Sequence, residues 1–151
     1  MRYLTRWQTW LAGLWAGMLL AIGALAAPAL FAVLERTQAG LAAGRLFNLE
    51  ARISLVLAVL LLAMEYRRLR KDTWRLNPGR WSPELLLALF AFVLTAVSHL
   101  GLHPMIQAAK AGQVTALSFA TLHGVSSALY ALKTVAVLVL FWRCTSSVRR
   151  R

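Results

Sequence analysis

The sequence predicts an all-α integral membrane protein, a four-transmembrane-helix bundle with its N-terminus and C-terminus cytoplasmic. Three observations carry this. Four apolar runs of spanning length divide the 151 residues. Hydrophobic residues make up 60% and charged residues 15%, both outside the globular norm. The basic residues cluster between the apolar runs instead of forming one surface. A formal charge of +12 would otherwise point to nucleic acid, and the clustering argues against that partner. At this length one domain over residues 1–151 is expected. Cys144 is the only cysteine, so no intramolecular disulfide can form.

The first span is expected at residues 7–34. Arg2, Arg6 and the Ala24-Leu25-Ala26 step resemble a signal peptide, but the run is too long for one and continues through Pro28-Ala29-Leu30-Phe31. It is therefore read as a retained helix, kinked or ended by Pro28. The second span is placed at 46–65 and opens on Asn48, Glu50 and Arg52. A basic stretch and the turn Asn77-Pro78-Gly79 follow. Ser82 as N-cap, Pro83 at the first helical position and Glu84 in the first turn start the third span, 84–103, which Pro104 should stop. A short amphipathic connector leads to the fourth span, 114–142.

Basic residues set the orientation. Twelve of the 17 fall on the side of the termini: Arg2, Arg6, six between the second and third spans, and four in the tail. Four fall on the other side (Arg36, Arg45, Arg52, Lys110), and Lys133 lies within a span. The cytoplasmic face is thus expected to meet anionic lipid headgroups. Trp7, Trp10, Trp74, Trp81 and Trp142 sit near that boundary as an aromatic belt.

Depth can be counted from each cytoplasmic helix end at 1.5 Å per residue. His103, His123 and Asn48 come out at one level, about 28 Å from that boundary. His99 and Ser127 lie one turn deeper, with Glu50 between. The chain therefore places Asn48, Glu50, His99, His103, His123, Ser126 and Ser127 in one outer-leaflet polar layer. On the last span His123, Ser127, Tyr130 and Thr134 recur at i, i+4, i+7 and i+11, one helical face. Gly124 beside His123 would let another helix approach and bury the imidazole. Lys133 is expected to snorkel toward the cytoplasm, with Glu65 as its nearest carboxylate on that half. Glu50 with Arg52 reads as an interfacial helix start.

Catalytic templates are missing from the sequence: there is no GxSxG elbow, P-loop, GxGxxG, CxxC or HExxH. Three classes stay in play. The favoured one is a non-enzymatic inner-membrane protein whose polar layer stabilises the bundle or binds a small ligand or ion. The second is a heme- or metal-binding redox protein, using His123 with His99 or His103. The third is a transporter or accessory subunit, with Lys133 and Glu65 as intramembrane charges. Four spans enclose little interior, which admits a homodimer.

Pro28-Ala29-Leu30-Phe31, Ala39-Gly40 and Gly44-Arg45-Leu46-Phe47 together resemble the first helical hairpin of the domain-of-unknown-function 4149 family. Phe119-Ala120-Thr121-Leu122-His123-Gly124-Val125-Ser126-Ser127 resembles its second signature, an aromatic followed by His-Gly-x-Ser-Ser. That family includes bacterial proteins and eukaryotic proteins like transmembrane protein 205; the resemblance implies a four-helix membrane protein, here expected in a bacterial inner membrane, and a family motif at His123, Gly124, Ser126 and Ser127. It implies no particular activity.

Overall fold

A computed structural model describes residues 2–73 and 81–149. Trp74, Arg75, the Asn77-Pro78-Gly79 turn, Arg80, Arg150 and Arg151 lie outside the described residues. The described chain is helical, with no strand. Its helices are α1 (Arg2–Leu20), α2 (Ala27–Val33), α3 (Arg36–Thr73), α4 (Pro83–Ala96), α5 (His103–Lys110) and α6 (Phe119–Arg149). Two π-helical segments, Ala21–Ala26 and Val97–Leu102, join α1 to α2 and α4 to α5 without a break. Four stretches are long and apolar enough to cross a membrane: Tyr3–Val33, Arg36–Arg70, Pro83–Lys110 and Phe119–Ser146.

Each span packs mainly on its neighbours in sequence, and the first closes on the last: α1 on α3, α3 on α4, α4 on α6, α6 on α1. Both described ends therefore lie at one end of the bundle, called proximal below; the opposite end is distal. The seam follows the three-four spacing of packed helices. Ala12, Trp15, Ala16 and Leu19 of α1 meet Ala58 and Leu61 of α3, Ala88 and Ala91 of α4, and Val137, Leu140 and Cys144 of α6. Alanines dominate because lipid supplies no hydrophobic drive for helices to associate, so close backbone approach matters more than bulk.

Neither proline ends its helix, contrary to the stop expected at Pro104. Pro28 and Pro104 each lie two residues beyond a π segment, and each helix runs on through its proline. A proline inside a helix removes one donor and crowds the carbonyl four residues back. The wider π turn accommodates both defects, with Ala27 N–H bonding to Ile22 O and His103 N–H to Ser98 O. Hence Pro104 does not stop the third span, and the expected connector is α5. The second span also starts earlier than expected, at Arg36, and the fourth later, at Phe119. There Ser118 Oγ accepts from Thr121 N–H at 3.2 Å, an N-cap contact that sets the later start. Ser82 caps α4 as expected, accepting from Leu85 N–H at 3.0 Å.

Gly23, inside the first π segment, faces the Tyr130 ring so closely that an added Cβ would lie 2.7 Å from it. Gly17 on the same span has open space. Gly23→Ala should therefore destabilise the purified protein by about 1–3 kcal/mol through overpacking, whereas Gly17→Ala should not lower stability. Unfolding in detergent, read by circular dichroism, separates the two; equal stability of both variants would contradict this packing.

Candidate functional site

Polar side chains inside the bundle form three tiers. The central one is a buried ion pair: Lys133 Nζ of α6 donates to Glu50 Oε1 and Oε2 of α3 at 2.8 and 3.0 Å. Both side chains are nearly inaccessible, 5% and 2% exposed. Ser54, one turn along α3, donates to Glu50 Oε1. Trp15 Nε1 of α1 in turn donates to Ser54 Oγ at 2.7 Å. The ammonium also lies 4.9 Å from the centroid of the Tyr130 ring, within cation–π range. Tyr130 packs edge-on against Phe47, and its hydroxyl donates to Leu19 O at 2.8 Å, just ahead of the first π segment. First, second and fourth spans are thus joined through one charge pair.

This tier corrects two expectations. Lys133 does not snorkel, and Glu65 is not its partner. The cause is helix direction: side chains lean toward the N-terminus of their helix, and α6 runs from the distal to the proximal end. Lys133 consequently reaches distally, to Glu50. Glu50 for its part is no interfacial residue; it points into the bundle, one helical turn from Ser54.

The proximal tier binds all four spans. Glu65 Oε2 accepts from Gln8 Nε2 at 2.9 Å, and its Oε1 from Ser82 Oγ at 2.6 Å. Arg68 lies between Glu65 and Glu84 at 2.9 and 3.7 Å, and Arg143 Nε donates to Glu84 Oε1 at 3.0 Å. Gln8 Oε1 is buried without a hydrogen-bond partner among the described residues.

The distal tier is open. Asn48 Nδ2 and His103 Nε2 lie 2.9 Å apart, tying α3 to α5, and His99 stacks on His103 with ring centroids 5.9 Å apart. Beside them opens a groove of about 410 Å³, lined by Gly40, Leu41, Gly44, Arg45, Asn48, Leu49, Arg52, His103, Gln107 and Lys110. Lys110 Nζ donates to Gly40 O at 3.3 Å across it. The structure thus brings Asn48, His99 and His103 together, as the depth count expected, and places Glu50 in the central tier instead. Arg45, Arg52, Gln107 and Lys110 were not singled out as site residues. Their spacing was the available signal: Arg45, Asn48 and Arg52 recur at i, i+3 and i+7, as do His103, Gln107 and Lys110 at i, i+4 and i+7.

The His-Gly-x-Ser-Ser stretch faces outward. His123, Gly124 and Ser127 are exposed and Ser126 is half-buried. The His123 ring stacks on Phe119 at 6.0 Å, and Ser127 Oγ bonds back to His123 O at 2.9 Å. No neighbouring helix approaches Gly124. The buried residue here is Leu122. Among the described residues no three of His, Cys, Asp and Glu gather as a metal-binding group.

A family described as a domain of unknown function, DUF4149, matches residues 10–115. The match takes in the Pro28–Phe31 and Gly44–Phe47 elements, the Glu50 and Ser54 positions and the groove, and ends ahead of Phe119–Ser127. No curated protein and no solved structure matches the chain.

Removing one partner of a buried ion pair leaves the other charge stranded, at a cost of about 3–5 kcal/mol. Lys133→Ala and Glu50→Ala should each lower stability by roughly that amount, and Glu50→Gln/Lys133→Met should recover much of it. Ser127→Ala, losing only a bond to its own helix, should stay within about 0.5 kcal/mol of the parent. Denaturation midpoints of the purified variants decide this; a Lys133→Ala protein as stable as the parent would refute the central tier.

Proposed function

The chain belongs to the DUF4149 family, and we propose that this member is a non-enzymatic, multi-pass protein of a bacterial inner membrane whose distal polar layer holds the helices together and presents a site for a small polar ligand or ion. One observation carries the reading. The Asn48–His103 contact joins the second and third spans beside an open groove whose polar lining the central and proximal tiers do not consume. The twelve-to-four distribution of basic residues supports cytoplasmic termini, which would open the groove to the outer face. The proximal basic residues would then lie against anionic headgroups.

Cysteine labelling tests both points. Cys144 is buried and is the only cysteine, so Cys144→Ala supplies a blank background. A Cβ on Gly44 would meet nothing closer than Lys110 Nζ at 3.8 Å, so Gly44→Cys fits the groove without strain. In intact spheroplasts a membrane-impermeant maleimide should label this cysteine from outside. Labelling that needs permeabilised cells would reverse the orientation, and no labelling in either preparation would mean that the groove is closed.

A homodimer through α6 is a second reading, favoured by one feature. Ala120, Gly124 and Ala128 form an exposed small-residue row beside His123 and Ser127. Gly124→Leu should then abolish a dimer seen by crosslinking in membranes, and a parent chain that crosslinks only as monomer would overturn it.

A further inference from the structure

We propose that the distal groove binds a phosphate group of net negative charge, carried either by an anionic membrane lipid or by a small soluble molecule. The proposal rests on the reading of the groove as an open ligand site and names the chemistry of its ligand. The groove is walled by two helices, each presenting a row of donors one turn apart. From α3 come Arg45, Asn48 and Arg52; from α5 come His103, Gln107 and Lys110. Three of these six are cations, and among the described residues no carboxylate lines the groove. Glu50, the acid nearest in sequence, is turned into the bundle and occupied by Lys133 and Ser54. Neither Arg45 nor Arg52 makes an ion pair or hydrogen bond among the described residues. At the proximal end, by contrast, Arg68 and Arg143 are paired with Glu65 and Glu84.

The shape is consistent with that charge. Gly40 and Gly44 leave part of the lining as bare backbone, so a ligand can approach α3 closely. Lys110 is held over this stretch by one long bond to Gly40 O, which an anion of higher charge density can replace. A volume of about 410 Å³ suits a headgroup-sized ligand. Cationic ligands would meet three like charges, and an apolar one would leave the donors unsatisfied. Guanidinium pairs favour planar or tetrahedral oxyanions over halides because they donate two parallel bonds.

The Gly44→Cys/Cys144→Ala protein, reconstituted in nanodiscs of phosphatidylcholine, provides the measurement. Inorganic phosphate should slow maleimide labelling saturably, and chloride at matched ionic strength should not. In nanodiscs that also contain phosphatidylglycerol, slow labelling without added phosphate identifies a lipid source; unchanged labelling there, with protection by phosphate, identifies a soluble one. Arg45→Gln and Arg52→Gln should each weaken protection roughly tenfold, as loss of a charge-assisted hydrogen bond does. Arg36→Gln, which removes a cation outside the groove, should leave it unchanged. Labelling that no anion slows, equal protection by chloride, or an Arg36→Gln effect matching that of Arg52→Gln would overturn the proposal while leaving the open groove intact. Absence of labelling in every nanodisc would instead overturn the open groove itself.

Discussion

The Glu50–Lys133 pair is the constraint on which the packing of this bundle depends. Hydrocarbon solvates neither charge, so each must find the other, and both must complete their hydrogen bonding with protein groups. Lys133 spends its donors on both carboxylate oxygens and turns its remaining face to the Tyr130 ring. Ser54 adds a bond to Glu50, and Trp15 fixes Ser54. A one-residue slip of α1, α3 or α6 would strand at least one of these groups. The pair therefore specifies register, which the alanine seam alone, being nearly uniform along its length, would specify weakly.

Among the described residues the hydrogen bonds of the central tier do not reach the third span. That span is instead secured at its two ends, where Ser82 and Glu84 join the proximal network and His103 meets Asn48 distally. Between these anchors it contributes Ala88, Ala91 and Thr95, whose hydroxyl bonds back to Ala91 O. Its π segment lies just before the distal anchor, as the first span's π segment lies beside Tyr130. Both irregular turns therefore adjoin side chains that cross between helices. A locally widened helix re-aims the residues that follow it, and in the third span those residues are His103, Gln107 and Lys110 of the groove.

The membrane class and the four spans were legible because they rest on run length and charge clustering. The common level of Asn48 and His103 was legible because helical rise is constant. Helix rotation was harder to read: when both faces of a helix are apolar, hydropathy does not distinguish core from lipid. The stripe through His123 and Ser127 lies one residue, about 100° of rotation, from the buried row of Leu122, Lys133, Val137, Leu140 and Cys144. A better signal was present in the small and polar residues at three-four spacing. Glu50, Ser54, Ala58, Leu61 and Glu65 trace the buried face of α3, and Glu84, Ala88, Ala91 and Thr95 that of α4. The direction of Lys133 was also readable once α6 was assigned its polarity, since the lean of a helical side chain is fixed by the backbone. The π turns were not readable, because a proline in a long apolar run is equally compatible with a stop, a kink or a widened turn.

The polar groups that maintain the fold differ from those of the distal groove in how fully they are partnered. In the central and proximal tiers the buried side-chain donors and acceptors have partners within the bundle, and Gln8 Oε1, an acceptor, is the exception among the described residues. Groups so committed are poorly placed to bind anything else without first breaking the contacts that order the bundle. The distal groove has the opposite balance: Asn48 and His103 bond to each other, while the guanidinium groups of Arg45 and Arg52 stand beside bare glycine backbone and pair with no acid among the described residues. Concentrating like charge there works against folding, since it gains no pairing within the chain and adds repulsion between α3 and α5. A structural role explains the Glu50–Lys133 pair and the Glu65–Arg68–Glu84–Arg143 network. It does not explain three unneutralised cations around one cavity, which is why the functional question for this protein lies at the distal end.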